Sequence, residues 1–189
     1  MALTPSNTVN LGMKAPAFTL PDTITGKEMT LMDIKSDEAT LIVFICNHCP
    51  YVKHIREELV RISNDYSPRG LSMAGISSND IEKYPEDAPQ LMKKEALEWK
   101  YPFPYLYDET QSIARAYDAV CTPDFFLFDK NLSLAYRGQL DDSRPGNGLP
   151  LTGKDLRNAI KQVLNGFPAE GEQFPSVGCN IKWKETEAP

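Results

Sequence analysis

Long apolar runs are missing from this chain of 189 residues. The strongest, Leu41-Ile42-Val43-Phe44-Ile45, holds five residues, where a membrane-crossing helix needs about 20. No membrane partner is expected. Residues 1–14 also lack a basic start followed by an apolar stretch. No secretory signal is visible, and the cytoplasm is the expected compartment. Excess positive charge is absent too: the formal net charge is -6 and the pI is near 5.0. That argues against a nucleic-acid-binding surface. Cysteine is sparse at four residues and histidine at two. So few cysteines in a cytosolic chain do not make a disulfide scaffold and point to catalysis or metal binding. No internal repeat or second domain is visible, and the length suits one domain with a sizeable core.

What is present concentrates in one stretch. Residues 41–45 read as a buried strand. Cys46-Asn47-His48-Cys49 follows as a short turn, and Pro50 then opens a helix that also carries His54. Proline suits the first helical position, where its missing N–H would be unpaired anyway. Cys49 is thereby placed at the helix N-cap, where free amides and the helix dipole favour an anion. A thiol there is more acidic and more nucleophilic than a free one. Cys46, three residues earlier, lies within disulfide reach.

Taken in order, residues 1–14 read as polar and loosely held. Residues 17–20 and 29–31 form a hairpin around Thr25-Gly26-Lys27. In the helix after Cys49, Val52, Ile55, Leu59, Ile62 and Tyr66 share a face, and Arg56, Glu57, Glu58 and Arg61 fall on a solvated side. Pro68-Arg69-Gly70 ends it, and residues 71–77 form a second buried strand, parallel to the first. Residues 79–89 read as a loop. A helix over 88–99 follows, with Leu91, Met92, Ala96 and Trp99 inward. Prolines at 102 and 104 force an extended chain. Thr110 caps a short helix that buries Ile113, Ala116 and Tyr117. Residues 125–128 and the alternating Leu132, Leu134 and Tyr136 pair as an antiparallel hairpin. Residues 141–151 read as a loop. Thr152 and Asp155 resemble a capping arrangement for a last helix that buries Leu156, Ile160, Val163 and Leu164. The remainder, 169–189, is a tail carrying Cys179 and Trp183.

The line Cys46-Asn47-His48-Cys49-Pro50 after the first core strand, and Thr122-Pro123 just before Phe125-Phe126-Leu127-Phe128-Asp129, resemble the thioredoxin fold. Ala15-Pro16-Ala17-Phe18-Thr19-Leu20 is similar to the peroxiredoxin-like branch, the alkyl hydroperoxide reductase/thiol-specific antioxidant (AhpC/TSA) family. Cys121-Thr122-Pro123-Asp124 and Asp141-Asp142-Ser143-Arg144-Pro145-Gly146-Asn147 resemble a peroxiredoxin-like subgroup of it. The resemblance implies an α/β chain with a mixed central sheet flanked by helices. Residues 14–168 would form the redoxin domain, with an N-terminal segment over 1–13 and a tail over 169–189. It implies that Pro123 is a cis-proline facing the thiol, and that Thr122 and Pro123 form the edge where a partner chain docks. Two features of the family pattern are missing. In peroxiredoxins the reactive cysteine ends a Pro-x-x-x-Thr/Ser-x-x-Cys motif. Counted from Cys49, those places hold Ile42 and Cys46; counted from Cys46, Ala39 and Val43. The later arginine has no counterpart near Thr122-Pro123. The groups that would stabilise a peroxide's leaving oxygen are therefore absent. Thioredoxin's buried carboxylate corresponds to Val43 or Thr40, which leaves His48 as the nearest proton carrier.

The expected activity is thiol–disulfide exchange, with Cys49 as nucleophile and Cys46 as resolving thiol. The expected partner is a protein disulfide or dithiol, with no cofactor. An atypical thiol peroxidase is a second hypothesis. A zinc-binding or redox-sensing module, using Cys46 and Cys49 with His48, His54, Cys121 or Cys179, is a third. In an alternative register Cys46 takes the first place of the thioredoxin pair. Cys121 reads as a buried filler or an alternate resolving thiol, and Cys179 as a resolving or a packed residue. Lys53 reads as a solvated group or one that lowers the Cys49 pKa, His54 as packed or surface rather than catalytic, and Tyr51 as flanking the thiol or covering core. Arg144 and Asp141 read as substrate-binding or as braces of their loop.

Overall fold

A computed structural model describes residues 3–8 and 10–185. Met1, Ala2, Val9 and residues 186–189 lie outside the described residues. In chain order the elements are β1 (Leu3–Pro5), β2 (Thr19–Pro21), β3 (Glu28–Thr30), α1 (Leu31–Ile34), β4 (Ala39–Phe44), α2 (Pro50–Tyr66) and β5 (Leu71–Ser77). Then come α3 (Pro89–Glu98), β6 (Tyr105–Tyr107), α4 (Ser112–Ala116), β7 (Cys121–Thr122), β8 (Asp124–Asp129), β9 (Leu134–Tyr136), α5 (Lys154–Leu164) and β10 (Val177–Asn180).

The central sheet has five strands in the order β6-β5-β4-β8-β9. β4 pairs in parallel with β5, and β5 with β6, whereas β8 runs antiparallel to β4 and β9 to β8. Every residue of β4 is buried, as its composition, apolar but for Thr40, requires of a strand covered on both faces. Alternate side chains serve two cores. Leu41 and Val43 pack with Val52, Ile55, Leu59 and Ile62 of α2 and with Leu156 and Ile160 of α5. Ile42 and Phe44 pack with Leu31 and Ile34 of α1, Ala114 of α4, and Phe126. Tyr117 sits edge-on to Phe44, Phe126 and Phe128 at centroid distances of 5.6, 5.4 and 6.1 Å. This is a thioredoxin-like fold: a mixed sheet flanked by helices.

Several expectations need correction. Glu58 is not solvated: it is 3% exposed, and its carboxylate holds Arg61 and, across to α5, Arg157 at 2.6 Å. Leu91 points out of α3, and Met92 and Ala96 make the contact. Ala114 rather than Ala116 faces the core from α4. α5 starts one residue later than the Thr152–Asp155 pattern implies, with Gly153 at its N-cap in a left-handed conformation, φ 63°. The carboxylate of Asp141 receives the amides of Thr152 and Gly153 instead. Finally, the described parts of the two terminal segments are neither loose nor a free tail. β10 pairs with β1 on one side and β7 on the other in a second, three-stranded sheet. Among the described residues no helix is long and apolar enough to cross a membrane.

Candidate active site

β4 delivers the chain to the site. Its register with β5 continues one residue beyond the strand, where Ile45 N–H donates to Ile76 at 2.9 Å. The backbone then turns over Cys46-Asn47-His48, and Pro50 opens α2 with Cys49 at the N-cap (φ -64°, ψ 122°). The turn is held from below by a carboxylate. Asp87 Oδ1 accepts the amides of Asn47 and His48 at 2.8 and 3.1 Å. Its Oδ2 accepts from Asn79 at 2.8 Å and faces His48 Nδ1 at 2.6 Å. Asn47 is pinned in turn: its amide donates to the Glu86 carbonyl, and its oxygen accepts from Tyr105. The His48 ring stacks on Tyr84 at 5.1 Å.

Three thiols meet at Cys49. The Cys46 and Cys179 thiols lie close enough to its sulfur to favour its anion, and Cys49 Sγ lies 3.2 Å from the Thr122 carbonyl. Cys46 Sγ lies 3.4 Å from Thr122 Oγ1 and 3.8 Å from His48 Nδ1. All four cysteines are buried, and none is in a disulfide. The Thr122–Pro123 bond is cis.

The charges divide sharply. Donation from Cys46 does most to lower the Cys49 value, to about 5; burial opposes this, and Cys179, the Val52 amide and Thr122 assist. The Val52 N–H makes no full capping hydrogen bond but still favours the anion. Burial pushes Cys46 well up, reinforced by its bond to Cys49 and by the charge on Asp87. Burial and the same ionised neighbour push Cys179 up to about 12. The cluster therefore holds one thiolate with two protonated donors around it. Burial alone would raise Asp87, but His48 and Asn79 hold it below the usual carboxylate value. An ionised Asp87 only accepts, so His48 Nδ1 carries the proton between them.

The sequence-expected residues fall into two groups. Cys46, Cys49, Thr122, Pro123, His48 and Cys179 converge on one point. Cys121 does not reach Cys49 as a partner: its thiol points to the Pro123 carbonyl, 3.7 Å away, and burial pushes its value up. Asp141 is 1% exposed and spends its carboxylate on the amides of Ser143, Thr152 and Gly153. It braces the loop rather than offering itself to a ligand. Arg144 grips the Ser143 carbonyl at 2.8 Å and also the Asp141 carbonyl and the Gln139 side chain. It lines a narrow cleft with Tyr51, His54 and Pro123. Lys53 is exposed. Cys46, His48 and Asp87 bring three metal-type donor atoms within 4.8 Å. That is one fewer than a closed zinc site uses, and the His48–Asp87 hydrogen bond already occupies two of them.

Asp87, Asn79, Tyr84 and Tyr105 went unforeseen. The signal was positional: residues 79–88 leave the carboxyl end of a parallel strand next to the one that carries the cysteines, where ligand and catalytic groups gather.

The chain matches the AhpC/TSA family over residues 11–137. It is similar to an uncharacterized conserved protein from Geobacillus kaustophilus, with 57% identity, 98% of each chain covered and a TM-score of 0.96. It is also similar to a protein from Sinorhizobium meliloti, with 47% identity, 97% of this chain and 100% of that one covered, and a TM-score of 0.94. The thioredoxin domain of a thiol-disulfide oxidoreductase from Bacteroides vulgatus shares the fold at 22% identity, with 69% of this chain and 89% of that one covered and a TM-score of 0.57. No curated protein matches it in sequence.

Proposed function

The chain belongs to the AhpC/TSA family, and we propose that it is a thiol–disulfide oxidoreductase in which Cys49 attacks and Cys46 resolves. The observation that carries this reading is Cys49 at the N-cap of α2 with Cys46 in the same turn, both sulfurs set against Thr122 at 3.2 and 3.4 Å; the direction of their shifts, Cys49 down and Cys46 up, agrees with it. An anionic sulfur beside a neutral one is the pair that exchange requires.

In the reductive direction the Cys49 thiolate attacks one sulfur of a partner disulfide. A Cys49–partner bond forms, the partner's S–S bond breaks, and the departing thiolate takes a proton from solvent. Cys46 then gives its proton to the ionised Asp87 carboxylate, an oxygen of which lies within 4.8 Å of its sulfur. Its thiolate attacks Cys49, closes the Cys46–Cys49 disulfide and releases the second partner thiolate, which is reprotonated. One disulfide is reduced and two thiols are oxidised. Asp87 takes the place of the carboxylate that Val43 or Thr40 could not supply. Thr122 and Pro123 would offer the partner chain its docking edge once β10, which pairs with Thr122 through Cys179, is displaced.

The test uses the reduced full chain and oxidised glutathione. Cys49→Ser should lower exchange by about a hundredfold or more, since the nucleophile acts in every step. Cys46→Ser should complete the first attack and fail to turn over. Full dithiol-dependent disulfide reduction by Cys49→Ser would overturn the proposal. Rapid sulfenic acid formation at Cys49 with low peroxide would point instead to a peroxidase. Stoichiometric zinc released by a chelator would point to a metal module.

A further inference from the structure

Strand β10 lies against the active-site peptide as a separate chain would. Cys179 is the register partner of Thr122, and Asn180 of Cys121, in an antiparallel ladder. The approach is close: a Cβ on Gly178 would stand 1.9 Å from the Thr122 carbonyl oxygen, so only glycine allows it. The hold extends beyond the strand in both directions. Ser176 Oγ donates to the Pro123 carbonyl at 2.7 Å. The Lys182 amide donates to Asn79 Oδ1 at 2.8 Å, and the Lys184 amide to Gln111 Oε1 at 2.8 Å.

This placement fills the space an incoming chain would need. Cys49 is 0% exposed, Cys46 1% and Cys179 2%. A free edge at β7 would accept an extended peptide by strand addition, but β10 already occupies it. The residue it sets opposite Thr122 is a cysteine, and the carbonyl of that same Thr122 lies 3.2 Å from Cys49 Sγ, so the two sulfurs are neighbours. A packed filler in this strand would not need to be a thiol in contact with the nucleophile.

We infer that β10 is a built-in substitute for the partner chain, with Cys179 as its cysteine, and that Cys49 exchanges between Cys46 and Cys179. The inference rests on the exchange chemistry proposed above for the supply of the first disulfide. From the Cys46–Cys49 disulfide, Cys179 loses its proton and attacks the sulfur of Cys49. The Cys49–Cys179 bond forms, the Cys46–Cys49 bond breaks, and Cys46 leaves as a thiolate that takes up one proton. One disulfide replaces another, so no external oxidant or reductant is consumed. The product fastens β10 to α2 with the docking edge covered. When Cys46 is absent, Cys179 resolves a mixed disulfide on Cys49 directly.

The test treats reduced full-length protein with oxidised glutathione, quenches with an alkylating agent, and maps disulfides and glutathione adducts by peptide mass. In Cys46→Ser the Cys49–Cys179 disulfide should exceed the Cys49–glutathione adduct by about tenfold, because a tethered thiol competes at a high effective concentration. The double variant Cys46→Ser/Cys179→Ser should accumulate the adduct on Cys49. Far-UV circular dichroism and hydrogen exchange at residues 177–180 check that both variants keep the strand. A folded Cys46→Ser that holds glutathione on Cys49 with Cys179 still alkylated would overturn the inference. If the wild type then still forms Cys46–Cys49, the proposed exchange function survives. If Cys49 reacts in none of the variants, both fall.

Discussion

Cys49 shows why position at a helix start is not enough. A charge at a helix terminus gains about 0.3–1 kcal/mol from the dipole. A fall from the ordinary thiol value to about 5 corresponds to about 5 kcal/mol. Most of it therefore comes from the S–H donors, Cys46 first. Iodoacetamide labelling of Cys49 should rise with a midpoint near pH 5, and Cys46→Ala should move that midpoint to a higher pH. The linkage has a definite sign. The folded value is depressed, so the thiolate's contribution to stability is full above the unfolded thiol value. It is lost as pH falls through about 5. The urea midpoint of reduced wild type should therefore exceed that of Cys49→Ser by more at pH 8 than at pH 5. Asp87 offers a second residue-scale test. Asp87→Ala strips four protein N–H groups of their acceptor and should cost about 2–4 kcal/mol in denaturant unfolding. Asp87→Asn keeps an acceptor oxygen but removes the charge that raises Cys46. Its Cys46 should alkylate at lower pH than in wild type.

At the scale of elements, local pattern located the helices and strands well wherever one face was apolar. The β4–turn–α2 unit was legible because Pro50 marks the first helical residue and the apolar run marks the strand. Ends and caps were less legible. The cap of α5 is supplied by Asp141, twelve residues before Gly153, and no window of adjacent residues contains that contact. β10 was illegible for a related reason. A four-residue strand of Val-Gly-Cys-Asn has little periodicity of its own, and its pairing with β1 and β7 defines it. Gly178→Ala tests how closely it docks. Its Cβ would meet backbone rather than a flexible side chain. Hydrogen exchange at the amides of residues 177–180 should quicken, and the unfolding midpoint should fall by about 2 kcal/mol or more in equivalent stability.

Across the whole molecule, the two cores on either side of the sheet make β4 the shared wall, which keeps the cysteine turn rigid. α2 is fixed from its far side as well. Glu58 bridges to Arg157 of α5, which also reaches Asp65 at 2.7 Å. Removing a buried carboxylate from such a network leaves a guanidinium half-unpaired. Glu58→Ala should destabilise the protein by about 2–3 kcal/mol, discounted for the partial exposure of both arginines. Thermal unfolding of the reduced protein measures it. The loss should be smaller in Arg61→Ala, whose guanidinium is the more exposed of the two.

The amino-acid order alone determined the strand–turn–helix unit, its flanking helices and strands, and the place of Cys49 at the start of α2. Each depends on residues that are neighbours in the chain, through alternation, helical spacing or a proline at a helix start. Only the tertiary structure decided which groups surround the Cys49 sulfur. Asp87 lies 38 residues beyond Cys49 and Cys179 lies 130 beyond it, and the fold alone sets them around one turn. An acidity made of hydrogen bonds between distant side chains has no local sequence pattern, because a hydrogen bond depends on distance in space and not on separation along the chain.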